Sequence, residues 1–416
     1  MARNRKSDRQ ETGGVLIRFN LVGLILFSVS LIAAASLLTS GVLTRHRSGV
    51  GAEPGHLPPA PFETPPWGEL ATHEIEVEPP EEYLAADAVL PQAPSWVFQQ
   101  LSPEQTRSLM LSCGLSAEQA DRALAPDRVS VAASNTIVRP DDELILSLSR
   151  EARAKLYATL GRWQAIHFMV YPFSFRVQNL DESFENSNLD TATIARIKKL
   201  LYKKGEAECF SDFEFVMRGL PSDRQRLWLV KTLARQRALL VRVRIRPDTD
   251  LEKVLGYWDR GISVKDARPL LESVKRLPEG GSVSLLYLLP RFARERLYTF
   301  PMPPRPGEWP VDCHWTTMNF FNDEPDNRFA DPAYTVACLK TNYYQIAKAN
   351  QYGDIILVLN KEGYPIHSAT YLADDIVFTK NGDNHMHPWM LVRMKDLLAT
   401  YTADSVQVAA YRNRNW

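Results

Sequence analysis

The sequence predicts an α+β protein: an N-terminal transmembrane helix, then an α-rich middle domain, then a C-terminal domain in which helices precede an antiparallel sheet. Three observations carry this. Residues 21–43 hold no charge. Between residues 96 and 300 several apolar segments open on Ser or Asp and follow helical spacing. After residue 353 the apolar residues alternate at period two, with short polar turns between runs.

The run LVGLILFSVSLIAAASLLTSGVL, Leu21 to Leu43, has the length that a helix needs to cross a hydrocarbon layer, roughly 20 residues. Ahead of it Arg3, Arg5, Lys6, Arg9 and Arg18 outnumber Asp8 and Glu11, so the positive-inside bias keeps residues 1–20 as a cytoplasmic tail and sends the rest across. A cleaved signal peptide is the competing reading, with Ala33 to Ser36 offering small residues for cleavage. Either way the bulk of the chain is expected outside the cytoplasm, attached as a single-pass membrane protein if the segment is retained. Residues 44–95 follow as a proline-rich stalk. Ten of the chain's 28 prolines fall between Gly49 and Ser95, which bars much of that backbone from helices and interior strands.

Composition narrows the function classes. Of 416 residues 45% are hydrophobic and 24% charged, an ordinary globular balance. Lys+Arg and Asp+Glu both total 49, so nothing global draws the chain to nucleic acid. Four cysteines are too few for a disulfide scaffold, and no CxxC pair or finger spacing predicts a structural metal. No cofactor or metal is expected. GVGAEPG near the stalk lacks the spacing of a nucleotide loop.

Residues 96–300 make up the predicted α-rich domain. SPEQ (Ser102 to Gln105) and SAEQ (Ser116 to Gln119) are capping boxes, with Gly114 as a stop between them and Cys113 as a small packing residue. Asp190 caps a helix whose Ile194, Ile197, Leu200 and Leu201 share one face up to Gly205. Another apolar face runs through Leu227, Trp228, Val230 and Leu233. LLVRVRIR, Leu239 to Arg246, then alternates as a strand with Arg242, Arg244 and Arg246 on one side: a solvated face, or a basic stripe for an anionic polymer. Cys209 in ECFSDFEF reads as core.

A second proline-rich joint, PMPPRPGEWP, opens residues 301–416. Tyr334 to Ala349 predicts a helix. GDIILVLN, YPIHSATYLA and IVFTKNG predict three antiparallel strands joined by a KEG turn and an Asp-Asp turn. Trp389, Met390 and Leu391 predict the start of a packing helix.

Cys313 stands directly before a helix-like run, where exposed amides and the helix dipole favour thiolate. The histidine in a predicted strand of this region is His367, a candidate proton acceptor. With a turn near Asp374, residues whose numbers sum to about 748 face each other, which places Asn381 opposite His367 and Thr379 two residues nearer the turn. Both are odd-numbered and share the histidine's side of the sheet, Asn381 as the better acceptor, while Lys380 points away. Cys313 is also open to a disulfide with Cys338, or to burial as an inert thiol. His385 and His387 form an HxH without a nearby carboxylate cluster, and read as loop residues.

VDCHW, GDIILVL and IHSATYLADDIVFTKNG together resemble the NlpC-type papain-like cysteine peptidases, whose pattern is a DCSG box at a helix start, a GD-plus-apolar strand, and a histidine opening HVGIYLG. The resemblance covers about the last 115 residues. Asp312 and Cys313 match the DC, Gly353 and Asp354 the GD, and His367, Tyr371 and Leu372 the histidine strand. It implies a papain-like fold, Cys313 as nucleophile, His367 as base and a third polar residue twelve positions on, which is Thr379. Where the family carries Ser-Gly after its cysteine this chain carries His314 and Trp315, so Asp312, His314 and Trp315 are expected to line a bulkier substrate cleft. The implied activity is amide cleavage in peptidoglycan peptides, with two alternatives: a papain-like acyl hydrolase or transferase on lipid, and a catalytically degenerate envelope-binding module.

Overall fold

The computed structural model describes residues 65–84, 93–163, 167–170, 172–176, 180–205, 207–262, 264–304, 308, 310–401 and 406–416. They fall within one compact unit, a mixed α+β structure with four sheets, all antiparallel. This corrects the expected architecture in two respects. No helix among the described residues is long and apolar enough to cross a membrane, and the expected transmembrane segment 21–43 lies outside the described residues. The middle region, expected as α-rich, is mixed: beside its helices it carries, among the described residues, eight strands, which with one strand from the expected stalk form three sheets.

The stalk strand is β1 (Glu69–Val77). Pro65 and Pro66 stand before it and Pro79 and Pro80 after it, leaving a proline-free stretch free to pair. Strands β2 (Trp96–Phe98), β3 (Val129–Ala132) and β4 (Asn135–Val138) form one sheet in the order β2-β4-β3, and β5 (Phe173–Arg176), β6 (Tyr202–Lys204) and β7 (Ala207–Phe210) another in the order β5-β7-β6. Strands this short give too few alternations to be told from loops. β8 (Gln236–Ile245) pairs with β1 and with β9 (Gly281–Ser284). As alternation predicts, Val241, Val243 and Ile245 are buried while Arg242 and Arg244 are exposed. Glu69 on β1 lies against Arg244 and Arg246, so the basic stripe is partly neutralised within the chain.

The predicted caps are in place. Ser102 and Gln105 open α1 (Pro103–Ser112), and Ser116 and Gln119 open α2 (Ala117–Ala123), with reciprocal capping-box bonds. Gly114 takes φ +100° between them and Cys113 is buried. Ser149 caps α3 (Arg150–Arg162) and Asp190 caps α4 (Thr191–Lys199), and α5 (Asp223–Ala234) follows. These helices and two of the sheets share one core, from Trp96 to Leu233, that also takes in Cys209.

A second core joins β8, β9, α6 (Leu251–Trp258) and α7 (Val264–Lys275) to the C-terminal region: Val243, Trp258 and Phe292 pack in it with Trp315, Phe320, Leu372 and Phe378. The C-terminal region contains α8 (Cys313–Met318), α9 (Pro332–Asn342) and α10 (Met394–Ala399). Its six-stranded sheet runs β10-β15-β11-β12-β13-β14, made of β10 (Tyr343–Ile346), β11 (Ile355–Leu359), β12 (Pro365–Ala373), β13 (Ile376–Lys380), β14 (Trp389–Arg393) and β15 (Gln407–Asn413). The helix predicted to reach Ala349 ends at Asn342 and continues as β10, and Trp389 to Leu391 begin a strand rather than a helix. In both places the sheet edge offers backbone partners that a sequence window cannot contain.

Gly353 and Asp354 have structural work here. Gly353 takes φ +94°, and a Cβ there would overlap the Phe321 ring. Asp354 is fully buried, accepts the amides of Asn350 and Gln351 at 2.9 Å, and pairs with Arg412 of β15 at 2.8 Å. Arg412→Ala would leave that carboxylate buried and uncompensated, at a cost of about 3–5 kcal/mol. The expected readout is a lower urea midpoint, with part of the loss recovered when Asp354→Asn is added.

Candidate thiol site

Cys313 is the first residue of α8. Asp312 caps the helix, its Oδ1 accepting the Trp315 amide at 2.7 Å. Cys313 is 3% exposed, and all four cysteines, Cys338 included, are free thiols. The helix is held to the sheet by hydroxyl contacts. Ser368 Oγ lies 3.1 Å from the Cys313 carbonyl oxygen and from Thr317 Oγ1, and the Trp389 indole donates to Thr316 Oγ1 at 3.0 Å.

Strand alternation then decides what meets what. Ser368, with Phe378 and Lys380 on β13, belongs to the face that carries α8. His367 and Thr379 belong with Ala369, Tyr371 and Val377 to the opposite face, which packs against α10 and Tyr401. The β12–β13 ladder runs through Thr370↔Phe378 and Tyr371↔Val377, the register expected from the turn. At its open end a side-chain bridge continues it. His367 Nε2 lies 2.8 Å from Thr379 Oγ1, and that hydroxyl donates to the Ser368 carbonyl at 3.3 Å. The Thr379 proton is thereby committed, so Nε2 carries the ring proton and donates to Thr379. The lone pair is left on Nδ1, where the Tyr401 hydroxyl donates at 2.8 Å with its ring stacked 4.8 Å from the imidazole. Burial, and secondarily Cys313, raises the Tyr401 phenol, which keeps it neutral.

The ring is therefore fixed by Thr379 and not by Asn381. Asn381 lies beyond the end of β13. Its Oδ1 is buried without a partner among the described residues, and its carbonyl meets His387 Nδ1 at 2.8 Å. Among the described residues no hydrogen bond joins the Cys313 sulfur to the His367 ring. Trp315 points into the core against Phe292, with ring centroids 5.3 Å apart, rather than into a cleft. His314 is partly buried, and burial lowers its ring below the ordinary histidine range while Asp312 pulls it upward. One ligand atom each from Asp312, Cys313 and His314 lie within 4.8 Å of one another.

Three residues of this site carry no motif. Ser368 and Tyr401 act through contacts between elements remote in sequence. Lys380 does leave a trace, since it occupies an inward position in an otherwise apolar strand. It is completely buried, donates to the Gly382 and Asn384 carbonyls at 2.8 and 3.0 Å, and is pushed down to about 8 by burial, with Cys313, Asp383 and Asp312 pulling the other way.

Comparison with known protein families, with characterised proteins and with solved structures found no match.

The depressed Lys380 pKa has a consequence for stability. The unfolded chain binds this proton up to about 10.5 and the folded chain only up to about 8, so stability rises with pH between those values, by up to about 3 kcal/mol. Denaturant midpoints measured at pH 7.5 and pH 10 should show this rise in the natural chain and lose it in Lys380→Met.

Proposed function

We propose that this chain is a thiol-dependent amide hydrolase in which Cys313 is the nucleophile and His367 the proton acceptor, held in a closed state by Tyr401. One observation carries the reading: the Thr379 bridge fixes the His367 tautomer with its lone pair on Nδ1, the form that a general base requires. The occupant of Nδ1 is a neutral hydroxyl, but Cys313 lies on the face that carries α8 and His367 on the other, so the reactive state requires α8 or β12 to shift until sulfur and ring meet.

In the reactive state the Cys313 proton passes to Nδ1 and the sulfur attacks the amide carbon. The tetrahedral intermediate collapses as the imidazolium returns its proton to the departing amine, leaving a thioester. Water, deprotonated by the same ring, then releases the acid and restores the thiol. In this reading the Cys313 amide, in the first turn of α8, is the donor to the developing oxyanion. An amide of peptidoglycan peptides as substrate rests on the resemblance to NlpC-type peptidases, and a cell-envelope location rests on the charge-free run at residues 21–43.

A non-catalytic binding module is the second reading, favoured by the occupation of both ring nitrogens and by the burial of sulfur and imidazole together. Alkylation decides between them. A nucleophilic Cys313 reacts with iodoacetamide at pH 7 faster than a free thiol of pKa about 8.5, faster again in Tyr401→Phe, and more slowly in His367→Ala. If Cys313 in both the natural chain and Tyr401→Phe reacts no faster than a free thiol, the hydrolase reading falls. Release of peptide fragments from peptidoglycan, lost in Cys313→Ala, tests the substrate.

A further inference from the structure

The start of α8 gathers three side chains whose ligand atoms are not committed elsewhere. Cys313 is 3% exposed and its sulfur makes no hydrogen bond among the described residues, and neither does the His314 ring. Asp312 uses Oδ1 to cap the helix, which leaves Oδ2. The three groups already converge, with their ligand atoms within 4.8 Å of one another. Around a tetrahedral zinc-class ion ligand atoms sit about 3.5 Å apart, a closure within reach of side-chain rotation. The buried thiol has no hydrogen-bond partner among the described residues and stands beside an imidazole and a carboxylate, a donor set that suits a transition metal.

We infer that Asp312, Cys313 and His314 form a three-ligand site for a divalent transition-metal cation of the zinc class. One thiolate, one imidazole and one carboxylate select zinc or cobalt over magnesium or calcium, which take oxygen sets. On binding, the Cys313 thiol releases its proton to solvent and the sulfur bonds the metal as thiolate. The fourth tetrahedral position is left for water. The ammonium of Lys380, buried close enough to Cys313 and Asp312 to interact with both, opposes the cation, so its removal tightens the site.

The inference does not rest on the hydrolase reading, since a sulfur held by metal is withdrawn from nucleophilic attack. Titration of the reduced, chelator-treated full chain with Co2+ tests it. A thiolate-to-cobalt charge-transfer band should saturate at one equivalent and vanish in Cys313→Ser. Binding should weaken about tenfold or more in His314→Gln and in Asp312→Asn, the latter keeping a cap-competent side chain, and should tighten in Lys380→Met. Circular dichroism of each variant shows that it is folded. The absence of a band from the natural chain, or an affinity unchanged in both His314→Gln and Asp312→Asn, overturns the site. Rapid alkylation of metal-free Cys313 without a cobalt band leaves the hydrolase standing and removes the metal. A cobalt band with Cys313 no more reactive than a free thiol does the reverse.

Discussion

The centre of the C-terminal sheet is covered on both faces, and that constraint governs what is placed there. Every residue of β13, and of β12 from His367 onward, is buried. A polar side chain there has no solvent to satisfy it and must find a partner within the fold. His367, Ser368, Thr379 and Lys380 do, and only the Thr370 hydroxyl among the polar groups of these two strands does not: the histidine bonds Thr379 and Tyr401, the serine α8, the threonine a strand carbonyl, the lysine two loop carbonyls. The concentration of polar groups at one end of an otherwise apolar sheet is what marks this end as a candidate site.

Those bonds also set the state of each group. Because Thr379 gives its proton to a carbonyl, the imidazole has one tautomer open to it. Because Tyr401 is partly buried and its phenol is raised by that burial, its hydroxyl stays neutral and sits on the remaining nitrogen as a donor. The resulting chain, from tyrosine through histidine and threonine to the backbone, runs in one direction. Such a chain is stable when undisturbed. It also leaves the histidine one displaced hydroxyl away from acting as a base.

Much of the fold was legible in local chemistry. Ser102, Ser116 and Asp190 cap the helices they were expected to cap, because capping depends on residues within one turn. The β12–β13 register followed from the turn, since a hairpin fixes pairing over a few residues. Legibility failed where partners are remote. β1 finds β8 across more than a hundred residues, and the small sheets between Trp96 and Phe210 use strands too short to alternate visibly. The segment after Asn342 is recruited as an edge strand by β15, which follows it by some sixty residues.

The sequence by itself determined that a cysteine would open a helix, that a histidine strand would pair with the strand carrying Thr379, and that Gly353 and Asp354 would stand at the head of an apolar strand. These are consequences of capping, alternation and turn chemistry, which act over a few residues. Only the tertiary structure decided that Thr379 rather than Asn381 holds the ring, because β13 ends at Lys380. It alone placed Tyr401 on the free nitrogen and Lys380 beneath the cysteine's helix. Which face of a doubly covered sheet a helix packs upon is settled by the volumes of all the layers together, and no window of sequence contains them.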